Sequence, residues 1–74
     1  MPESREAAEK RAERLGFPKK NVYCLDGDNQ CFIVPYGIET VEAKRVYAES
    51  RASGMSKEQS AKIAHSVEGK ARKK

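Results

Sequence analysis

Apolar positions in this chain fall into one doubled run and three helically spaced stripes. Between Val22 and Val34, two apolar runs flank the polar group Asp26-Gly27-Asp28-Asn29. That pattern predicts a β-hairpin. With Gly27 and Asp28 as turn residues, Cys24 pairs with Cys31, Tyr23 with Phe32, and Val22 with Ile33. One face then carries Val22, Cys24, Cys31 and Ile33, and the other Tyr23, Leu25, Phe32 and Val34. A two-stranded ribbon is not stable alone in water, so both apolar faces need cover. Pro35 ends the second strand because it has no ladder donor.

Residues 4–15 predict a first helix, with Ser4 as N-cap and Glu6–Lys10 as an i,i+4 pair. Its stripe is thin: Ala8, Ala12 and Leu15. Gly16 is a natural left-handed stop, Phe17 a hydrophobic contact behind it, and Pro18 blocks continuation. A second helix starts between Ile38 and Val41, with Thr40 as N-cap. It buries Ala43, Val46, Tyr47 and Ser50 and ends at Gly54. Ser56-Lys57-Glu58-Gln59 is a capping box that opens a third helix. There Ser60, Ile63, Ala64, Val67 and Ala71 share one face. Residues 56–65 resemble terminal helices of several small bacterial proteins through capping and amphipathicity alone, and this implies no function.

The order is α-β-β-α-α, an α+β class single domain over residues 1–74, its two-stranded antiparallel hairpin packed against helices. Residues 1–3 and 72–74 are expected to be disordered ends. The second and third helices are expected to cover the Val22, Cys24, Cys31 and Ile33 face. The first helix has little area to offer the other face. Tyr23, Leu25, Phe32, Val34 and Tyr36 are therefore the expected protein-binding surface, for another protein or a second copy.

Composition bounds the rest. The chain has 74 residues, 38% hydrophobic and 35% charged, so its core is small. No apolar run is long enough to span a bilayer, and no membrane partner is expected. The charged start, Met-Pro-Glu-Ser-Arg-Glu, lacks an apolar signal region, so the expected location is cytoplasmic. The net charge of +4 is uneven: residues 21–40 carry three acidic and no basic side chains, and residues 55–74 six basic and two acidic. This supports an alternative reading as a nucleic-acid accessory protein. Lys57, Lys62, Lys70, Arg72, Lys73 and Lys74 would make weak, sequence-indifferent phosphate contacts. Gly54 fits a helix-turn-helix turn, but the third helix lacks a base-reading cluster. The aromatic set has acidic neighbours, which disfavours base stacking.

Three readings of Cys24 and Cys31 are open. They can form a cross-strand disulfide, bind a metal with His65 as third ligand, or pack as small buried hydrophobes. A closed zinc site wants four ligands and the chain offers no more than three. The expectation, given a reducing compartment, is two free thiols. Asp26 to Asn29 lacks the spread of an EF-hand loop, and turn chemistry accounts for it. No phosphate loop, metalloprotease helix or nucleophile elbow is present, and His65 is expected on the solvent side of the third helix. No catalytic residue, metal or cofactor is expected, and the protein is read as non-enzymatic.

Overall fold

The computed structural model describes residues 3–25, 27 and 29–72, with the side chain of Arg72 excepted. Its elements are α1 (Arg5–Leu15), β1 (Val22–Leu25), β2 (Gln30–Ile33), α2 (Val41–Ala52) and α3 (Lys57–Arg72), with a 3-10 turn at Lys19–Asn21 before β1. The α-β-β-α-α order is the one the sequence predicts. The hairpin register is too: Val22 faces Ile33, Tyr23 faces Phe32, Cys24 faces Cys31 and Leu25 faces Gln30. Gly27 takes φ +69° in the turn, while the expected turn roles of Asp26 and Asp28 lie outside the described residues.

The helix ends follow local chemistry. The Ser4 hydroxyl accepts from the Ala7 amide at 3.3 Å, and the Thr40 hydroxyl from Ala43 at 3.2 Å. The Ser56 hydroxyl accepts from Gln59 at 3.2 Å. Both α1 and α2 stop in Schellman motifs. Phe17 donates to the Ala12 carbonyl and Gly16 to Glu13, while Met55 donates to Ser50 and Gly54 to Arg51. Gly16 and Gly54 have φ of +87° and +105°, which an L side chain adopts only with strain.

The hairpin is the middle layer, and the two faces are covered the other way round from the sequence expectation. α1 covers the cysteine face: Ala8 and Ala12 pack with Val22 and Cys31, and Phe17, Cys24 and Ile33 lie against them. α2 and α3 cover the aromatic face, where Val34, Ile38, Ala43, Tyr47 and Ala64 form the core and Tyr23 and Phe32 pack onto it. Side-chain size decides this. Alanines let a single helix close tightly on the small cysteine face, and the bulkier aromatic face is covered by a helix pair through Tyr47 and its own alanines, with Val34 and Ile38 filling the space between. Along α3 the buried seam is Ser60, Ala64 and Glu68; Ile63, expected inside, is 38% exposed.

Cys24 and Cys31 are joined by a disulfide, which corrects the expectation of free thiols. The reason is the register. The Cys31 amide turns away from β1 and donates to the Glu3 carbonyl at 2.9 Å. Cys24 and Cys31 are thus a non-hydrogen-bonded pair, the kind whose Cα atoms approach most closely, here 4.0 Å. Glu3 itself, expected in a disordered end, is held by this bond and by Arg11. Arg72, also expected there, is the last residue of α3. Met1, Pro2, Lys73 and Lys74 lie outside the described residues.

Two buried polar groups lock the layers. At the base of the hairpin Asn21 accepts the Val34 amide on its carbonyl at 2.7 Å and donates its side-chain amide to the Val34 carbonyl at 2.8 Å. At the start of α2, one Glu68 oxygen from α3 accepts the Glu39 and Thr40 amides and the Thr40 hydroxyl at 2.9–3.0 Å. A carboxylate there also complements the positive end of the helix dipole.

Three stability measurements follow. Glu68→Ala should lower the unfolding free energy by roughly 2–3 kcal/mol, because three partly buried donors lose a charged acceptor. Ser60→Ala should raise it by about 0.5–1 kcal/mol: the Ser60 hydroxyl is fully buried with no partner among the described residues, and alanine favours the helix. Urea denaturation checks both, and an unchanged Glu68→Ala midpoint contradicts the capping role. Unfolded, unreduced protein should show no thiol reactive toward an alkylating dye, and reduction should cost roughly 2–3 kcal/mol for so short a loop.

Candidate functional site

The five residues expected to form a protein-binding surface do not share one. Val34 is 0% exposed and cannot touch a partner. Tyr23 and Phe32 are half-buried and packed on the core beneath α2 and α3. Leu25 is half-buried near the turn. Tyr36 is exposed but pinned: its ring stacks on Phe17 with centroids 4.8 Å apart, and its hydroxyl donates to the Gly16 carbonyl at 2.8 Å. The broad aromatic face predicted from the sequence is therefore interior, because a helix pair large enough to cover it lies on that side.

The basic set separates as well. Lys62 and Lys70 are exposed on α3. Lys57, at the start of α3 and so at the other end of that helix from Lys70, instead lines a cleft. The side chain of Arg72, with Lys73 and Lys74, lies outside the described residues. His65 is exposed, as expected, yet its ring crosses Gly37, where an added Cβ would stand 3.1 Å from the imidazole. Cys24 and Cys31, bonded to each other, offer no thiolate to a metal.

The cleft that Lys57 lines combines an apolar floor with basic side chains. It has a volume of about 180 Å³ and draws on every layer. α1 contributes Arg11 and Leu15, and Phe17 follows from the Schellman turn. β2 contributes Phe32 and Ile33, and α2 contributes Tyr47 and Arg51. Phe32 and Ile33 point to opposite faces of the ribbon, so the cleft lies across its free edge. Leu15 is 59% exposed at the lip.

Apolar floor and cationic rim give the cleft its chemistry. No Asp or Glu lines it, while Arg11, Arg51 and Lys57 do. Arg11 holds the Glu3 carboxylate in a forked pair, Nε at 2.9 Å and Nη2 at 2.5 Å from its oxygens. That bond pushes the Arg11 guanidinium further toward its charged form. Arg51 donates one amino group to the Met55 carbonyl at 2.6 Å, which fixes its direction without neutralising it. Burial pushes the Tyr47 phenol up, against the pull of Arg51 and Arg11, so at neutral pH it keeps its proton.

No protein-family model matches the chain, and neither a curated protein nor a solved structure does.

Sequence reasoning missed Arg11 and Arg51 as site residues. They stand on helices covering opposite faces of the hairpin, and no local spacing connects them. Phe17 was legible as a contact behind the helix stop, but not as a cleft wall. Because Lys57 has no ion-pair partner among the described residues, Lys57→Gln should change stability by less than about 0.5 kcal/mol. Tyr36→Phe should cost about 0.5–1.5 kcal/mol through the lost bond to Gly16. Chemical denaturation of both variants checks the contrast, and a destabilised Lys57→Gln would make that lysine structural.

Proposed function

We propose that this is a non-enzymatic interaction protein that holds one side chain of a protein partner, another chain or a second copy, in the cleft between α1, β2 and α2. The observation that carries this reading is the cleft itself: an apolar floor over the ribbon edge, an exposed Leu15 at its lip and three cations around it. An engineered apolar cavity of about 150 Å³ takes up benzene, so this one is sized for a single ring or branched side chain. Interface hot spots are anchors of that size seated in pockets.

A second reading, phosphate contact by α3, is favoured by one observation. Glu68 is withdrawn into the core as the cap of α2, so the exposed side of α3 shows Lys62 and Lys70 with Glu58 as its acidic residue in the first turn. This contact would be non-specific and salt-sensitive. In a cytoplasmic setting the bridge between Cys24 and Cys31 would be opened, whereas the closed bridge suits an oxidising compartment.

A photo-crosslinking side chain separates these readings in living cells. Placed at Leu15 it should capture protein, and placed at Val41, which is exposed on α2 away from the cleft, it should not. Capture of nucleic acid from position 62 or 70 with none from position 15 supports the phosphate reading. Equal capture at 15 and 41 removes the cleft reading.

A further inference from the structure

Resting on that reading, we propose that the occupant is an extended acidic segment of another protein, seating one aromatic or branched side chain in the cleft with its carboxylates on Arg51 and Lys57. Three observations converge. The charged side chains lining the rim are all basic; Arg11 is paired with Glu3, while neither Arg51 nor Lys57 has an acidic partner among the described residues. Arg11, on the same rim, already shows the bonding mode by forking onto a carboxylate of an extended segment, Glu3. The third is backbone. Cys31 turns its N–H to the free edge of β2, and Val34 turns its own back to Asn21. Alternation therefore points the Ile33 N–H to the same free edge, at the cleft, where no strand among the described residues pairs with it. A peptide carbonyl completes that edge as Glu3 completes it at Cys31.

A single-stranded nucleic acid shares the negative charge but fits worse. The lining offers a seated base donors from the cations, but its one side-chain acceptor is the Tyr47 hydroxyl. The N–H groups of a base would be short of acceptors, whereas a Phe or Leu side chain loses nothing on entry.

The test uses the full chain with its disulfide intact, isotope-labelled for amide-shift mapping. Four synthetic nine-residue peptides serve as probes: a central Phe flanked by Glu, the same with Gln for Glu, the same with Lys for Glu, and the Glu peptide with Ala for Phe. Oligouridine is the fifth probe. The Glu–Phe peptide should shift the amides of Leu15, Phe17, Ile33 and Arg51. The Gln–Phe peptide should bind roughly tenfold more weakly, the sum of two rim ion pairs. Lys57→Glu should weaken the Glu–Phe peptide by a similar factor or more and favour the Lys–Phe peptide. Arg51→Gln is the second variant, should the charge reversal disturb folding. If the Glu, Gln and Lys peptides all bind the cleft alike, the acidic preference is overturned and the cleft reading stands. If no Phe peptide moves those amides, both fall. Oligouridine moving them more strongly than any peptide overturns the protein partner in favour of nucleic acid.

Discussion

A two-stranded antiparallel ribbon with apolar side chains on both faces cannot stay folded in water unless each face is covered. Everything else in this chain is placed by that requirement. One face is small, made of cysteines and aliphatics, and takes a single alanine-lined helix at close range. The other carries Tyr23, Phe32 and Val34 and takes a helix pair. Among the described residues no further layer lies beyond these helices, so the hairpin is at once the core and the limit of the core. The disulfide and the Asn21–Val34 pair tie the ribbon near its two ends, which relieves its short strands of holding the register alone.

Covering both faces brings polar backbone inside, and the chain answers with side chains rather than more strands. Asn21 supplies the donor that its own main-chain amide, engaged with Pro18, does not give to Val34. Glu68 reaches from α3 to cap α2, with the Thr40 hydroxyl relaying between the carboxylate and the Ala43 amide. The bonds of Asn21 to Val34 and of Glu68 to Glu39 and Thr40 join segments far apart in the sequence. Each is worth more than its length suggests, because losing it leaves buried donors without acceptors.

What could be read from the sequence was local, and what could not was decided across the fold. The register of Cys24 with Cys31 and the stops at Gly16 and Gly54 come from turn and cap chemistry within a few residues, as do the caps at Ser4, Thr40 and Ser56. The assignment of helices to faces depends on how volumes fit, and counting apolar area favoured the wrong pairing. Ile63 was placed inside by its spacing. The pull of Glu68 toward Glu39 and Thr40 turns the Ser60–Ala64–Glu68 seam inward instead and leaves Ile63 near the surface. The pairing of Cys24 with Cys31 is legible from the register, but their bond is not: it follows from the close approach of a non-hydrogen-bonded pair, which local patterning does not show. The cleft was not legible at all, because its cations come from three helices and its floor from both faces of the ribbon.

The cleft is a consequence of the same layering. α1 covers one face on its alanines and α2, through Tyr47, covers the other, and the two covers leave a cleft at the edge of β2. Glu3 closes that edge beside Cys31. Past Ile33 the chain reaches Pro35, which has no amide to offer a neighbouring strand, and turns away toward α2. What is left is a short length of ribbon edge with an apolar floor, walled by the side chains that the two covers present there. Those are Arg11 from one layer and Arg51 from the other, with Lys57 from the start of α3. Long cationic side chains suit such a seam: their stems lie along apolar surface and their heads remain in water. Like charges at the rim oppose pairing with the same edge of a second copy, and in the proposed reading they favour a negatively charged strand. In that reading the residues that guard this edge against self-pairing are also the ones that select what binds it.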